Sequence, residues 1–372
     1  MIEEILREGC VYPLKQPRNE KTRLQDLEQS IKRGNHKSFD KPHLAKSLDE
    51  NIDKELRRGY LIPLPIKYLK KLKKSRVIPM GMTEQFTINE EGKRVPKPRS
   101  CHDASFPMES GYSVIDDHDL ALLSPCQYGQ CLRRIIHAIL KIRYEFEDEI
   151  IYIIKYDFEA AYRRLHVFPQ HAVLTTIVMK LLAFLLTRLP FGATCGPSRY
   201  SEISEALFDT ANAIIEDETW DPDELRSPHD DKLQPAENLD MTIKFAKAKE
   251  LDVKIPLREI VVDGYIDDSI TVVLNKKGNL KRGQNAIPLV VHAFMRPTSV
   301  NEIVERKEGI QLIKLQGEGT PSEQKIVLGW LLDSRELKIY LPLDKGICWI
   351  NDISEIIIPD KRVKSTQMEQ MI

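Results

Sequence analysis

The chain has 372 residues, 42% of them hydrophobic and 30% charged, enough for one large domain or two to three subdomains around a substantial core. A formal net charge of −1 excludes binding of nucleic acid through bulk charge, so any such contact must come from local placement of basic residues. The six cysteines are scattered, only Cys126 and Cys131 being near neighbours, a pattern that gives neither a disulfide framework nor a zinc site and suits a reducing compartment.

Residues 1–66 are strongly charged and helix-forming, and are expected to make an N-terminal helical extension. Met1-Ile2-Glu3-Glu4 lacks the basic stretch followed by an apolar one that marks a secretory signal, so the expected setting is intracellular, in cytoplasm or nucleus. Lys67 to Arg76 is a short basic helix candidate between proline-containing segments. It reads equally as a phosphate contact or as a solvated face with Leu69 and Leu72 turned inward. Phe86-Thr87-Ile88 and Val95 flank a polar turn at Asn89-Glu90-Glu91-Gly92, a hairpin pattern, and Lys97-Pro98-Arg99 follows it. A helix is predicted over Leu132 to Arg143, and the Ile-rich stretch Glu149 to Tyr156 predicts a strand ending on Asp157.

Ala172 to Phe191 is the most apolar stretch, but Lys180 and Arg188 interrupt it, which suits two buried strands rather than a membrane span. A helix is predicted from about Ser198 to Glu216, with Pro197 near its start. Residues 217–256 read as an acidic, proline-containing loop ahead of another helix. Ile260 to Leu274 predicts two strands around a tight turn, and Ile287 to Phe294 a helix. Ile326 to Leu332 and Leu337 to Leu341 predict a hairpin.

The carboxylates are the most informative residues. Asp157 closes a buried strand, and Asp267-Asp268 lies in Gly264-Tyr265-Ile266-Asp267-Asp268-Ser269-Ile270-Thr271-Val272-Val273. A buried Asp doublet needs compensation by something positive, and hard divalent ions such as Mg²⁺ prefer carboxylate oxygens. Taken alone, however, the doublet favours the plainer reading of a polar hairpin turn, with Asp157 as a helix cap.

The neighbours change that balance. Tyr265-Ile266-Asp267-Asp268 resembles the Tyr-X-Asp-Asp box of reverse transcriptases, and Asp157-Phe158-Glu159-Ala160-Ala161-Tyr162 resembles that family's first catalytic motif. Leu189-Pro190-Phe191-Gly192, with Pro197 close behind, is similar to the box that contacts template and incoming base. Lys97 and Arg99, with Asp103 four residues after the arginine, are similar to the fingers element that grips the triphosphate, and Leu328-Gly329-Trp330-Leu331-Leu332-Asp333 resembles the primer-grip hairpin. The motifs occur in the family's order over about Arg76 to Asp333.

The resemblance implies an α+β right-hand polymerase with fingers (67–145), an antiparallel palm (146–343, with part of the fingers between 165 and 190) and a truncated thumb (344–372). It implies an RNA-directed DNA polymerase of a mobile retroelement, with RNA template, DNA primer and template duplex, and dNTPs as partners, and two Mg²⁺ ions, replaceable by Mn²⁺. Asp157 and Asp267 would ligate the metals with the backbone carbonyl of Phe158, and Asp268 would be the weaker ligand that shapes the field. Tyr162 would clash with a 2′-hydroxyl and select deoxynucleotides. Lys97, Arg99 and Phe191 would bind the dNTP; Arg99 can fork onto phosphate oxygens, a solvent-exposed loop charge being its plainer alternative. Gly192 would allow close approach of the template, and Tyr265, Gly329 and Trp330 would contact template or primer. For Trp330 the alternative is ordinary core packing.

Lys314 stands where the family often has a lysine near the leaving pyrophosphate. Phe191, where many retroviral relatives have Gln, points to the mobile retroelements. Arg163 and Arg164 are unusually basic for their place and would face nucleic acid or pair with Glu159.

About forty residues follow Trp330, too few for a ribonuclease H, integrase or recombinase domain. The Thr366 and Glu369 capping box announces a helix that Ile372 cuts short, so 344–372 is expected to be the truncated opening of the thumb. Two rival functions follow: a decayed or domesticated remnant that binds nucleic acid without polymerising, and an RNA-directed RNA polymerase.

Overall fold

The computed structural model describes residues 2–356 except 17–18, 85, 89–93, 127, 240–241, 243, 296–300, 302–303 and 305–307. The expected polar turn at 89–92 and the capping box at 366–369 lie outside the described residues. The fold is mixed α and β, with small antiparallel sheets, and it divides into two units. Unit 1 comprises residues 1–127, 158–206 and 295–309; unit 2 comprises 128–157, 207–294 and 310–372.

Unit 1 begins with α1 (Ile2–Glu8), α2 (Glu20–Arg33) and α3 (Pro42–Arg57). Its strands are β1 (Leu61–Pro65), β2 (Met80–Thr83), β3 (Phe86–Ile88), β4 (Arg94–Pro96) and β5 (Arg99–His102), and later in the chain β7 (Ile177–Met179) and β8 (Leu182–Leu186). The sheet β1-β8-β7 explains the apolar run, because successive residues feed opposite cores. Ile177, Phe184 and Leu186 pack with Leu44, Leu48 and Ile52, which recur every four residues along α3. Val178 and Ala183 pack with Leu27 of α2 and with Leu69. Both faces of the sheet are therefore covered by this unit's own residues, and no helix among the described residues is long and apolar enough to cross a membrane. The basic segment forms only a short 3₁₀ turn, Ile66–Lys71, anchored by the fully buried Leu69, with Lys67 and Lys71 over the Tyr68 ring.

Unit 2 is built on α4 (Cys131–Glu145), β6 (Ile151–Asp157), β9 (Ile260–Tyr265), β10 (Asp268–Leu274) and α6 (Asn279–Phe294). It continues with α7 (Leu312–Glu318), β11 (Gln324–Val327), β12 (Trp330–Asp333), β13 (Lys338–Tyr340) and α8 (Leu343–Ile356). The residues of α5 (Gly196–Glu216) divide between the units after Ala206. In the antiparallel sheet β6-β10-β9, Ile151, Ile153, Ile270 and Val272 pack on Ile135, Ile139 and Ile142 of α4. The opposite face meets α6, where a side chain at Gly283 would sit 2.5 Å from Val273, and where the Tyr156 hydroxyl donates to the Gln284 carbonyl at 3.2 Å. A sheet covered on both faces requires the continuous β-branched runs seen in β6 and β10.

Three elements differ from expectation. Helix α6 starts at Asn279 rather than Ile287 and carries Pro288 inside it. Between residues 217 and 256 the helical structure among the described residues is one 3₁₀ turn, Asp230–Lys232, in a segment broken by Pro222, Pro228, Pro235 and Pro256. The span 326–332 is not one strand but a turn between two, which with β13 gives a three-stranded meander.

Candidate active site

Strand β6 ends in Asp157, and the β6–β10 register sets Asp268 directly opposite it. Tyr265 pairs with Asp268 across the β9–β10 turn, leaving Ile266 and Asp267 as a two-residue loop. The loop puts Ile266 at φ 58°, a conformation that a β-branched residue adopts at a cost of about 1–3 kcal/mol. Asp157, Asp267 and Asp268 thus gather at one end of a sheet that is otherwise apolar. Like charges directly opposite on neighbouring strands repel.

Among the described residues, two lysines supply counter-charge at this corner. The Lys314 ammonium lies 2.5 Å from Asp157 Oδ2, and Lys155 Nζ lies 3.1 Å from Asp268 Oδ1. Gln311 places Lys314: its backbone N–H donates to the Asp157 carbonyl at 2.9 Å, which fixes the start of α7 three residues ahead of the lysine. Burial, then the hydrogen-bonded carboxyl of Asp157, pushes the Asp268 carboxyl up to about 6. Burial, then the charge of Asp157, raises Asp267 as well. Burial lowers the Lys314 ammonium, but the hydrogen bond to Asp157 and the charges of Asp157, Glu318 and Asp268 together outweigh it, and the net direction is up. Among the described residues no group of three or more His, Cys, Asp and Glu side chains is gathered closely enough to hold a metal ion as it stands.

The residues that support the corner carry no motif. Gly264, just before Tyr265, is needed because a Cβ there would lie 1.9 Å from the ring of Phe208 on α5. Asn212, one helical turn further along α5, accepts from the Val262 N–H at 2.9 Å and donates to the Val262 carbonyl at 2.8 Å. It thereby completes the free edge of β9 as a partner strand would. Arg134 of α4 forks onto the buried Asp263 of β9 at 2.5 and 2.6 Å. Tyr265 packs edge-on against Tyr128, with ring centroids 4.9 Å apart.

In unit 1, Tyr162 is buried between Phe191, at 5.0 Å, and Tyr200, at 5.2 Å, while Phe191 itself is 54% exposed. Phe158, which follows Asp157 in the chain, is buried. Gly192 has φ 92°, and a Cβ there would meet the His102 carbonyl oxygen at 2.4 Å, so the Leu189–Gly192 loop rests on the end of β5. Arg99 opens β5 and is exposed, as is Lys97, while Asp103 just beyond β5 is bonded to His36 and Ser105. The two arginines after Tyr162 serve the fold. Arg163 is buried, bonding Glu55 at 2.6 Å and the Arg188 carbonyl at 3.0 Å. Arg164 reaches the backbone carbonyls of Glu159 and Glu308.

In unit 2, Leu328 and Gly329 form the β11–β12 turn, both with positive φ, 48° and 84°. Trp330 is 41% exposed, which sets aside ordinary core packing for it.

No protein-family model matches the sequence, and no curated protein does either. Among solved structures, a foamy viral protease-reverse transcriptase in complex with double-stranded DNA is 12% identical over 99% of this chain and 42% of that one, at a TM-score of 0.46. The foamy viral protease-reverse transcriptase in complex with an RNA/DNA hybrid is 11% identical over 89% of this chain and 30% of that one, at 0.44. The native prototype foamy virus protein is 14% identical over 95% and 34%, at 0.39. The chain spans half or less of the length of each of these proteins, and likenesses at this level decide neither fold nor activity.

Proposed function

We propose that the chain is the polymerase part of a retroelement reverse transcriptase, joining dNTPs to a primer 3′-hydroxyl on an RNA template. The carrying observation is the corner of the β6-β10-β9 sheet, where Asp157 faces Asp268 in register and Asp267 occupies a strained turn beside them. A polar turn does not explain it, since a turn needs no third carboxylate opposite and no lysine on each of two strand-end aspartates.

The residues suit a hard divalent cation. The donors are carboxylate oxygens, and burial with the nearby Asp157 disfavours the charged forms of Asp267 and Asp268 in the absence of added positive charge. Asp157 and Asp267 would hold Mg²⁺, or Mn²⁺ in its place, with the Phe158 carbonyl as the further oxygen that the motif resemblance implies. Bound there, the metal would supply charge for an in-line displacement at the α-phosphate with release of pyrophosphate. The chain's own contribution is positioning: the β6–β10 register fixes the carboxylates, and Asn212 and Arg134 hold β9 in place behind them.

The remaining roles follow from the same resemblance. Lys97 and Arg99, both exposed, would bind the triphosphate, and Phe191 the base. Tyr162, held by Phe191 and Tyr200, would exclude a 2′-hydroxyl. Gly192, Tyr265, Gly329 and Trp330 would meet template or primer, the exposure of Trp330 leaving its ring available.

Primer extension on a homopolymer RNA template tests the reading. Magnesium-dependent incorporation of dNTPs is expected, falling by about 10³-fold or more in Asp157→Asn and Asp267→Asn. Absence of incorporation by the native chain overturns it in favour of a nucleic-acid-binding remnant. Tyr162→Ala should admit ribonucleotides; NTP use as good as dNTP use in the native chain would favour RNA synthesis instead.

A further inference from the structure

The two ion pairs at the acidic corner are not equivalent. Lys314 is 42% exposed on a seven-residue helix, so its ammonium group can turn into water and leave Asp157 bare. Lys155 is 15% exposed and belongs to β6 itself. It lies two residues before Asp157, hence on the same face of the strand, and its cross-strand partner is Ile270, with Ile153 two residues behind. Ile153 and Ile270 are both fully buried members of the core against α4. Its four-carbon stem therefore runs along apolar surface, and its ammonium group is ion-paired with Asp268, which is 20% exposed. Withdrawing Lys155 from Asp268 would strand an ammonium group beside that core, which costs far more than releasing Lys314 to solvent.

We propose that Lys155 is a positioning residue that reserves Asp268: it remains that carboxylate's counter-ion, so a divalent cation is ligated through Asp157 and Asp267 while Asp268 acts through its field. This rests on the metal-dependent reading above. It gives a local physical reason for unequal roles in an acidic triad, namely which carboxylate has a lysine that cannot leave. It also makes Lys155 a determinant of metal affinity although it binds no metal itself.

The test is a double-mutant cycle on the full chain, read by Mn²⁺ binding in electron paramagnetic resonance without nucleotide or nucleic acid. In the native background Asp268→Asn is expected to change Mn²⁺ affinity by less than about twofold, whereas in Lys155→Met the same change should weaken it by about tenfold, because Asp268 has become a ligand. Lys155→Arg, which keeps the charge, should behave like the native chain. Equal losses from Asp268→Asn in both backgrounds overturn the role of Lys155 and leave the metal centre standing. Native-like Mn²⁺ binding by Asp157→Asn overturns the metal centre and this role together. If Lys155→Met fails to fold, Lys155→Gln supplies the second background with the same expected outcomes, and a tenfold loss from Asp268→Asn in the otherwise native chain refutes the proposal by itself.

Discussion

Asn212 offers the sharpest test of how the site is supported. Strand β9 pairs with β10 on one side, and its other edge would leave Val262, 3% exposed, with an unpaired N–H and carbonyl. The Asn212 side chain satisfies both, at 2.9 and 2.8 Å, and also donates to the Phe208 carbonyl of its own helix at 3.0 Å. Asn212→Ala would orphan two buried backbone groups at about 1–3 kcal/mol each, and a water entering the vacated space would return part of that, leaving a net loss of about 2–3 kcal/mol. A chain of two units does not have to unfold in one step, so hydrogen exchange is the better measurement. The Val262 amide should exchange about 30- to 150-fold faster in the variant, with neighbouring β10 amides changed less. Because Val262 lies three residues before Tyr265, catalytic-site geometry should loosen with it. Unchanged protection of Val262, with stability within about 0.5 kcal/mol of native, would refute the edge-capping argument.

Two further predictions concern the site and its surroundings. Burial and Asp157 raise the Asp268 carboxyl to about 6, above its ordinary 3.8, so the folded state holds that proton more tightly than the unfolded chain. The associated stability is fully present below about pH 4 and is lost as pH rises through about 6. Asp268→Asn, which does not titrate, should therefore gain stability relative to the native metal-free chain across that window in urea unfolding at a series of pH values, and a pH-independent difference would contradict the shift. Gly192→Ala combines a φ of 92° with a Cβ 2.4 Å from the His102 carbonyl oxygen, backbone that cannot swing aside. It should cost about 2–4 kcal/mol in thermal unfolding even without nucleic acid; a stable variant impaired only in template binding would show that template approach, rather than packing, demands glycine here.

Much of the fold can be read from periodicity, and the exceptions have physical causes. Strands β6, β9 and β10 were visible because both faces of their sheet are buried, which forces unbroken β-branched runs. The start of α6 was hidden because Asn279 to Gln284 is polar, although Gly283 packs at 2.5 Å against Val273 and makes that polar turn part of the interface. The charged first sixty residues concealed a share in the core, since Leu44, Leu48 and Ile52 make too narrow a stripe on α3 to stand out among lysines and glutamates. The tight turn between β9 and β10 was legible from the polar Asp267-Asp268 doublet between two β-branched runs, whereas the β11–β12 turn read as continuous strand although Gly329 stands in it, because apolar residues flank it on both sides.

The site divides in the same way. Asp157, Asp267, Asp268 and Lys314 carry motif positions, but Lys155, Asn212, Arg134 and Asp263 act through contacts between residues 50 or more positions apart or across strands, and no spacing rule reaches them. Charge makes the omission consequential. A bare triad of carboxylates would hold three negative charges at the end of an apolar sheet, a state that either does not persist or takes up protons. With the ammonium groups of Lys155 and Lys314 in place the corner keeps one net negative charge, enough to attract a cation but little enough to fold without one. The two lysines thus make the acidic motif compatible with a stable sheet, and their unequal freedom to leave determines which carboxylates become available to a ligand.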